Sequence, residues 1–202
     1  KMADSLGVDG IMIVTPYYSK PSQHGILRHF EEISKITDLP IMAYNIPGRT
    51  STLIELETLQ TLVDDIGIHS IKDAVGDFEF SKKQLELLKD KVDIYSGNDN
   101  QTYDFVINGG VGVVSVASHV VGDEISEMIS FAKDNDLEKA EEINMQLSNL
   151  FEAIFEEPSP GPIKKILSES WEEVGEPLLP ITSITPELAN KIRGFYKKIK
   201  EN

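Results

Sequence analysis

Gly10–Thr15 reads GIMIVT, a short apolar run in which β-branched residues predominate. Amphipathic stretches with helical periodicity follow it over Ser22–Thr37 and Glu55–Ile66, with shorter ones over Ser81–Lys89 and Gln101–Asn108. Apolar runs of the same kind recur at intervals of 20 to 30 residues, at Pro40–Ile46 (PIMAYNI), His69–Ala74 (HSIKDA), Val92–Ser96 (VDIYS) and Gly112–Ala117 (GVVSVA). Short buried strands that alternate with helices predict repeated βα units, and therefore a parallel sheet covered by helices.

The pattern changes after the fifth run, where only helical stretches follow. From Asp123 onward, the periodicity predicts helices over Asp123–Lys133, Asp136–Phe155, Pro162–Val174 and Pro186–Lys200. The last of these has Thr185 as its expected N-cap and Pro186 at its first helical position, which are the residue types that such positions favour. The chain therefore ends in an all-helical region.

Five parallel strands can form either an open doubly wound sheet or part of a closed barrel. No strand is followed by a dinucleotide fingerprint, because GGVG at Gly109–Gly112 precedes its strand and is typical of a tight turn. Lys1–Leu6 resembles the end of a helix that feeds the first strand, and a complete (β/α)₈ barrel occupies about 250 residues. We therefore predict an α/β fold in which residues 1–122 are the last five βα units of a TIM barrel, with the upstream units absent. Residues 123–202 are then the last barrel helix and a C-terminal helical region.

Composition and charge exclude several classes of function. The 202 residues carry a formal net charge of -15, which opposes binding to nucleic acid or to an anionic membrane. The chain has no cysteine, so disulfides, thiolate metal sites and cysteine nucleophiles are excluded. The four histidines have no metal-ligand spacing, and neither a membrane-spanning run nor a secretory signal is found. We expect a cytoplasmic protein without a metal.

Lys72 is the candidate nucleophile. Every other lysine falls on a helical stretch or in a loop, whereas Lys72 lies inside an apolar strand, on the same face as the small residues Ser70 and Ala74. An ordinary lysine has only about one amine in a few thousand neutral at pH 7, and burial lowers the pKa enough to make a nucleophile. The alternative is a structural lysine paired with Asp73 or another carboxylate.

The second strand ends in Tyr44-Asn45-Ile46-Pro47-Gly48-Arg49-Thr50, at the edge where barrel enzymes build their active sites. Tyr44 comes from the strand next to that of Lys72 at comparable depth, so its phenol could transfer protons during imine formation. Arg49 offers a planar fork suited to a carboxylate. The alternatives are core packing for Tyr44 and a surface salt bridge for Arg49.

Two other strand ends carry weaker signals. Tyr17 and Tyr18 follow Pro16 after the first strand, where two aromatics suit an interface as well as a site. After the fourth strand, Gly97 permits close approach of the backbone to a ligand, while Asp99 could simply cap the next helix.

Six motifs in order resemble the dihydrodipicolinate synthase and N-acetylneuraminate lyase superfamily over nearly the whole chain. They are VTPYYSKPSQHG (Val14–Gly25), YNIPGRT (Tyr44–Thr50), IKDAVGD (Ile71–Asp77), SGND (Ser96–Asp99), GGVGVVSV (Gly109–Val116) and EPSPGPIK (Glu157–Lys164). The Pro-x-Arg-Thr ending of the second motif resembles the synthase branch, which condenses pyruvate with L-aspartate 4-semialdehyde to 4-hydroxy-tetrahydrodipicolinate in lysine and diaminopimelate biosynthesis. The sialic-acid and 2-keto-3-deoxy sugar-acid aldolases are the alternative within the superfamily, and a non-catalytic truncated paralogue is the alternative outside it.

The resemblance implies roles for individual residues. Lys72 matches the Schiff-base lysine, so that the cofactor-like group is a covalent pyruvate imine and no separate cofactor is expected. Tyr44 matches the proton-relay tyrosine, and Arg49 matches the arginine that helps bind the semialdehyde. Tyr18 matches a tyrosine that reaches across a dimer interface to complete the relay of a neighbouring subunit, which implies a homo-oligomer, a dimer of dimers. Two further positions, Gly97 and Val114, match residues that line the substrate pocket.

The chain departs from the family pattern in two places. The family's Gly-Thr-Thr segment, whose threonine links the two tyrosines, would lie upstream of Lys1 and is absent. Ser159 and Gly161 stand where the family often has Asn and Ile. Tyr17 matches one position of the family's lysine-feedback site, but the rest of that site would lie upstream as well.

Overall fold

Five short strands form one parallel sheet whose spatial order follows the chain, β1-β2-β3-β4-β5. The strands are β1 (Ile11–Val14), β2 (Ile41–Asn45), β3 (Ser70–Asp73), β4 (Asp93–Ser96) and β5 (Gly112–Val113). The structure, a computed structural model, describes residues 2–201. The predicted parallel sheet is present, and each strand pairs with the next one along the chain.

The predicted fifth strand, Gly112–Ala117, is too long, since β5 ends at Val113. The reason is a turn in the chain: the Ser115 hydroxyl accepts a hydrogen bond from the Ser118 backbone N–H at 2.8 Å, which starts the following helix. That helix, α7 (Ser118–Lys133), begins five residues before the predicted Asp123 and has non-helical dihedral angles at Val121. The helical periodicity of the sequence is regular only after this kink, so the predicted helix starts at Asp123.

In the first part of the chain, the first helix precedes β1, and the later helices alternate with the strands and cover one face of the sheet. The helices are α1 (Met2–Leu6), α2 (Gln23–Ser34), α3 (Pro47–Thr50), α4 (Leu56–Thr61) continued as a π-helix (Leu62–Ile66), α5 (Phe78–Leu87) and α6 (Thr102–Ile107), which follows a 3₁₀ turn over Asp99–Gln101. Ser22 caps α2 by accepting from the Gly25 N–H, and Asp77 caps α5 by accepting from the Glu79 and Phe80 N–H groups. The π-helix ends at Gly67, whose φ of 77° suits glycine. Sequence alone did not predict α3, because Pro-Gly is typical of a breaker.

The core of this part lies between the sheet and the helices. Strand residues such as Ala43 and Ile71 pack there with Phe30, Leu59 and Phe105 from the helices, and all five are fully buried. Burial of each large apolar side chain contributes roughly 1.5–3 kcal/mol relative to exposure. The opposite face of the sheet carries a different set of side chains, described below.

The second part of the chain is all-helical, as predicted. It contains α7, α8 (Leu137–Ala153), α9 (Gly161–Ser170) and α10 (Pro186–Lys200). The bounds of α10 and its Thr185 cap, which accepts from the Leu188 N–H, agree with the prediction. Residues 2–201 contain no helix that combines the length and the apolar character needed to cross a membrane.

The chain divides into two compact units, Lys1–Val114 and Ser115–Asn202. The first contains the sheet and the helices up to α6, and the second contains α7 to α10. The predicted division after residue 122 concerned the end of a barrel, and it stays a prediction.

Candidate active site

The open face of the sheet carries a row of side chains in register across adjacent strands. Tyr44 on β2 pairs with Lys72 on β3, and Lys72 pairs with Tyr95 on β4. Val14 on β1 pairs with Tyr44 and completes what we call the lysine row. Because neighbouring residues of parallel strands project to the same face, the amine of Lys72 lies between two phenol-bearing side chains.

Lys72 is half-buried and its amine lies against an aromatic ring. Its Nζ lies 4.2 Å from the centroid of the Tyr44 ring. Burial lowers the pKa of Lys72, and the nearby Asp99 carboxylate opposes that shift. None of the ion pairs found within residues 2–201 includes Lys72. A lysine in this setting has a larger neutral fraction near pH 7 than an exposed one, which is what nucleophilic attack on a ketone requires.

The predicted alternative, a pairing of Lys72 with Asp73, is wrong. Asp73 lies on the opposite, helix-covered face of β3 and is 1% exposed. Its carboxylate accepts hydrogen bonds from the Val75 N–H at 2.8 Å and from the Ser81 hydroxyl at 2.9 Å. Alternation along the strand therefore separates the two charged groups.

Tyr44 retains its proton at neutral pH. Burial raises the pKa of the Tyr44 phenol, and the positive charge of Arg49 opposes the shift. Arg49 is exposed on α3, the short helix that follows β2, and Ser51 ends that helix with a left-handed φ of 55°. The structure thus places a protonated phenol beside the lysine, with the charge of Arg49 acting on that phenol; the substrate-binding role of Arg49 stays a prediction.

Gly97 provides the space that the Lys72 side chain occupies. A Cβ atom built on Gly97 would lie 3.0 Å from Lys72 Cε and 2.7 Å from the Ala74 Cβ. These distances leave no room for a side chain. Gly97 also donates its backbone N–H to the Asp73 carbonyl oxygen, so β3 and the loop after β4 are joined directly behind the lysine.

Val114 and Tyr18, the two other predicted site residues, lie farther from this cluster. The Val114 N–H donates to the Ser96 carbonyl oxygen at 2.9 Å at the end of β5, two strands from Lys72. Tyr18 is 96% exposed in a turn closed by the Lys20 N–H and the Tyr17 carbonyl oxygen. Tyr18 does not pack on the lysine row of its own chain, and its predicted role across a dimer interface stays a prediction.

Three residues near Lys72 were not identified from the sequence as site residues. Tyr95 is placed by register, which the short run VDIYS did not reveal. Asp99 is 2% exposed and acts on the lysine through its charge, whereas the sequence indicated only a possible cap; the N-cap position of the 3₁₀ turn belongs to Asn98. Asp73 was considered only as an ion-pair partner. The pairing of adjacent strands could have identified Tyr95 from the sequence, and the alternation along β3 could have identified Asp73.

A second row of side chains lies one residue beyond the lysine row, on the helix-covered face. Asn45, Asp73 and Ser96 are register partners on β2, β3 and β4, and all are buried. Asn45 exchanges two hydrogen bonds of 3.0 Å with the backbone of Ile54, and Ser96 accepts from the Asn98 N–H at 3.1 Å. We call these residues the polar row. Each of them ties the end of its strand to the loop that follows.

A metal site and a cavity elsewhere in the chain are the alternatives to this cluster. Residues 2–201 contain no group of three or more His, Cys, Asp or Glu side chains that could hold a metal ion. A cavity of about 500 Å³ lies in the helical unit, lined in part by Lys164, Glu169 and Arg193. In it, Arg193 donates to both Glu169 carboxylate oxygens and lowers the pKa of Glu169 to about 2, so these two charges are matched within the protein. The chemistry therefore lies on the sheet.

The sequence profile of the Dihydrodipicolinate synthetase family matches residues 1–199. The chain belongs to this family. The prediction of a synthase and lyase superfamily member is thereby confirmed, and so is the coarser prediction of an α/β fold with a parallel sheet and many helices.

Relatives within the dihydrodipicolinate synthetase family are similar along almost the whole chain. The chain is 42% identical over 187 residues to 4-hydroxy-tetrahydrodipicolinate synthase 1 of Halalkalibacterium halodurans, covering 93% of this chain and 63% of the relative. It is 36% identical over 201 residues to the 4-hydroxy-tetrahydrodipicolinate synthase of Listeria monocytogenes, covering 100% of this chain and 69% of the relative. A crystal structure of dihydrodipicolinate synthase from Thermotoga maritima superposes with a TM-score of 0.94 at 32% identity, covering 98% of this chain and 69% of that one. The chain thus spans about two thirds of the length of these relatives.

Proposed function

We propose that this chain carries the catalytic lysine of a Schiff-base lyase that condenses pyruvate with L-aspartate 4-semialdehyde to 4-hydroxy-tetrahydrodipicolinate, in the biosynthesis of lysine and diaminopimelate. The observation that carries the proposal is Lys72, an amine made less basic by burial and placed in register between Tyr44 and Tyr95. Membership of a family whose similar members bear the name 4-hydroxy-tetrahydrodipicolinate synthase supports this choice of reaction.

The first half of the reaction takes place on the lysine nitrogen. The neutral Lys72 amine attacks the C2 carbonyl of pyruvate, a carbinolamine forms, and loss of water gives an imine. Tyr44, which stays protonated because burial raises its pKa, donates a proton to the departing hydroxyl. Loss of a proton from the pyruvate methyl group then gives an enamine, whose carbon attacks the aldehyde. Ring closure by the amino group of the semialdehyde displaces the lysine nitrogen and frees Lys72.

The remaining site residues bind the substrates. Arg49 is exposed beside Tyr44 and binds the carboxylate of the semialdehyde as a bidentate donor. Gly97 leaves the space that the Lys72 side chain occupies when its amine meets pyruvate, and Val114 lines the pocket at β5. No cofactor takes part, since the covalent imine on Lys72 supplies the electron sink.

The larger assembly follows the family pattern. The sheet forms the last five βα units of a (β/α)₈ TIM barrel, residues 1–122, and residues 123–202 complete the last barrel helix and the C-terminal helical region. Tyr18, fully exposed, reaches into a neighbouring subunit of a dimer of dimers and completes the proton relay there. The enzyme is cytoplasmic and acts on small molecules, without nucleic acid or membrane as partner.

Borohydride trapping tests the proposal. Incubation of the full-length protein with pyruvate and sodium borohydride should add to Lys72 the mass of one pyruvate, less one water, plus two hydrogen atoms. Peptide mapping locates the label, with the exposed Lys83 of α5 as an internal control. An unmodified Lys72 would contradict the proposal.

A second measurement separates the synthase from the sugar-acid aldolases. Enzyme loaded with pyruvate should turn over L-aspartate 4-semialdehyde and leave N-acetylmannosamine unchanged. The presence of Arg49 after Pro47 motivates this preference. Faster consumption of the sugar would favour the aldolase, and trapping without turnover of either aldehyde would favour a non-catalytic paralogue.

A further inference from the structure

The carboxylate directly behind Lys72 has no part in the chemistry described above. Asp73 is 1% exposed on the helix-covered face of β3, one residue from the nucleophile. Burial raises the pKa of Asp73 from an ordinary 3.8 to about 6, so burying it as an anion costs stability at neutral pH. Asn45, its register partner on β2, ties its own strand end with a neutral amide. Asp73 is the one ionisable residue of the polar row, and its burial there therefore calls for an explanation.

The contacts of Asp73 join four segments of chain. The carboxylate accepts from the Val75 N–H in the turn after β3 and from the Ser81 hydroxyl on α5. The carbonyl oxygen of the same residue accepts from the Gly97 N–H after β4. Ser81 is itself fully buried, and its hydroxyl lies closer to the Asp73 carboxylate, at 2.9 Å, than to its other acceptor, the Asp77 carbonyl oxygen, at 3.2 Å. The end of β3 is thus fastened to its turn, to α5 and to the next strand.

This fastening lies against the Lys72 side chain. Gly97, which Asp73 holds through its backbone, is packed so closely that an added Cβ would lie 3.0 Å from Lys72 Cε and 3.0 Å from the Asp73 carbonyl oxygen. Closely packed groups of this kind move together. A rotation of the β3 end by loss of the carboxylate ties would therefore displace the lysine nitrogen relative to the Tyr44 ring.

We propose that Asp73 is a positioning residue for Lys72, acting through its hydrogen bonds to Val75 and Ser81, which fix the end of β3 and keep the amine in its half-buried place. This inference rests on the proposed function of Lys72 as a Schiff-base nucleophile. A misplacement of about 1 Å costs a reaction on the order of a hundredfold in rate, so the ties need only prevent small shifts.

The hydrogen bond between Asp73 and Ser81 depends on pH, because it depends on whether Asp73 is ionised. As an anion, Asp73 accepts from both Val75 and Ser81, whereas the protonated group, like an asparagine amide, accepts from Val75 and donates to the Ser81 oxygen instead. The other groups that face it are Asp77, whose charge raises the pKa of Asp73, and Gln84 on α5, whose buried amide lowers it without completing a hydrogen bond. Lys72 itself points to the other face of the strand.

The test compares four proteins: native, Asp73→Ala, Asp73→Asn and Ile71→Val. Asparagine keeps an acceptor for Val75 and a polar partner for Ser81. Ile71→Val removes one methylene from the same buried face of β3 and keeps every tie, so it controls for loss of stability alone. Two readouts are measured across pH: competitive acetylation of the Lys72 amine with acetic anhydride, and the rate of borohydride trapping with pyruvate.

Acetylation decides the inference without any substrate. In Asp73→Ala the loosened strand end admits water, so the pKa of Lys72 should rise toward that of an exposed lysine, while Asp73→Asn and Ile71→Val keep the native titration. The trapping rate should fall between about tenfold and a hundredfold in Asp73→Ala and stay within about threefold of native in the other two.

Native titration of Lys72 in Asp73→Ala, or equal losses in Asp73→Ala and Ile71→Val, would overturn the inference. If Asp73→Ala does not fold, Ser81→Ala removes a single tie, and its Lys72 titration should move in the same direction by a smaller amount; a native titration there overturns the inference equally. Failure of the native protein to be trapped counts against the proposed function instead, because acetylation of Lys72 needs no pyruvate.

Discussion

Lys72 and Asp73 are neighbours on β3 that face opposite sides of the sheet, and burial pushes both toward their neutral forms. On the open face, the amine lies against the Tyr44 ring, the Asp99 carboxylate acts on it through its charge, and none of the ion pairs found within residues 2–201 includes it. On the covered face, the carboxylate accepts two hydrogen bonds and is enclosed by α5. The difference teaches that burial shifts the pKa of both groups toward neutrality, while the face of the strand decides which of them a ligand can reach.

The same contrast extends along both rows. The lysine row offers groups that a ligand can reach, and the polar row satisfies its groups within the protein, through backbone atoms of Ile54, Val75 and Asn98. Substitutions in the first row should therefore change chemistry more than stability. Those in the second should change stability and geometry first.

Replacing the nucleophile should give the largest effect. Lys72→Met should abolish borohydride-dependent labelling and lower turnover at least about a thousandfold, the scale of removing a covalent nucleophile. Because burial lowers the pKa of Lys72, the folded state disfavours the ammonium, and its removal should leave the melting temperature unchanged or higher at neutral pH. Lys83→Met, on an exposed part of α5, should change neither quantity. A strongly lower melting temperature in Lys72→Met would show that the lysine is structural.

The second-largest effect should come from filling the space beside Lys72. Gly97→Ala places a Cβ 2.7 Å from that of Ala74, and we expect a loss of about 1–3 kcal/mol in the free energy of unfolding, together with slower trapping. Gly48→Ala is the matched control, since no atom lies within 4 Å of its added Cβ, and it should stabilise α3 by up to about 1 kcal/mol. Chemical denaturation of both variants measures the difference. Equal stabilities of Gly97→Ala and Gly48→Ala would show that the surroundings of Gly97 accommodate a methyl group, which would contradict the close contact with Lys72.

Substitution of Asp73, on the covered face, should change how the free energy of unfolding depends on pH. The folded-state pKa of Asp73, about 6, lies above its ordinary value of 3.8, so the folded protein binds the proton more tightly and stability falls as pH rises through this window. Asp73→Asn removes that titration. Its free energy of unfolding relative to the native protein should therefore increase by on the order of 1 kcal/mol between pH 5 and pH 8.

Measurement of both proteins by urea denaturation at the two pH values tests this. Asp104→Asn, a half-buried carboxylate on α6 with a pKa raised in the same direction, shows how much of the effect is generic to burial. A relative stability that stays constant with pH would contradict the raised pKa of Asp73.

The smallest effect should come from Asp99, whose charge acts on the Lys72 amine of the open face. Its carboxylate raises the pKa of Lys72, so Asp99→Asn should move the acid limb of the trapping profile to lower pH. Asp93→Asn, an exposed residue at the start of β4, should leave the limb in place. A shift to higher pH would reverse the assigned sign.

Much of this arrangement could be predicted from the sequence, because it depends on local alternation. The run SIKDA fixes which residues of β3 share a face, and the order of βα units makes Tyr44 and Lys72 neighbours, as the register shows. The bounds of α10 were predicted because Thr185 and Pro186 mark its start chemically. Local chemistry was sufficient in these cases.

The remainder depends on packing between segments. The bond from Asp73 to Ser81 spans eight residues and exists only because α5 lies against β3. The helix α3 forms across Pro47 and Gly48, which favour a turn in isolation, and Thr50 closes it by donating to the Ile46 carbonyl oxygen. Tyr95 acquires its place by the registry of two strands, which no single run of sequence contains.

Each strand end also anchors its own loop. Asn45 holds the segment that begins at Ile46 through the backbone of Ile54, and Ser96 holds the segment after β4 through Asn98. A different segment grafted between Asn45 and Ile54 would inherit its anchor without any change to the strands that carry the lysine. Divergence of substrate preference can therefore proceed loop by loop, with the amine kept in place throughout.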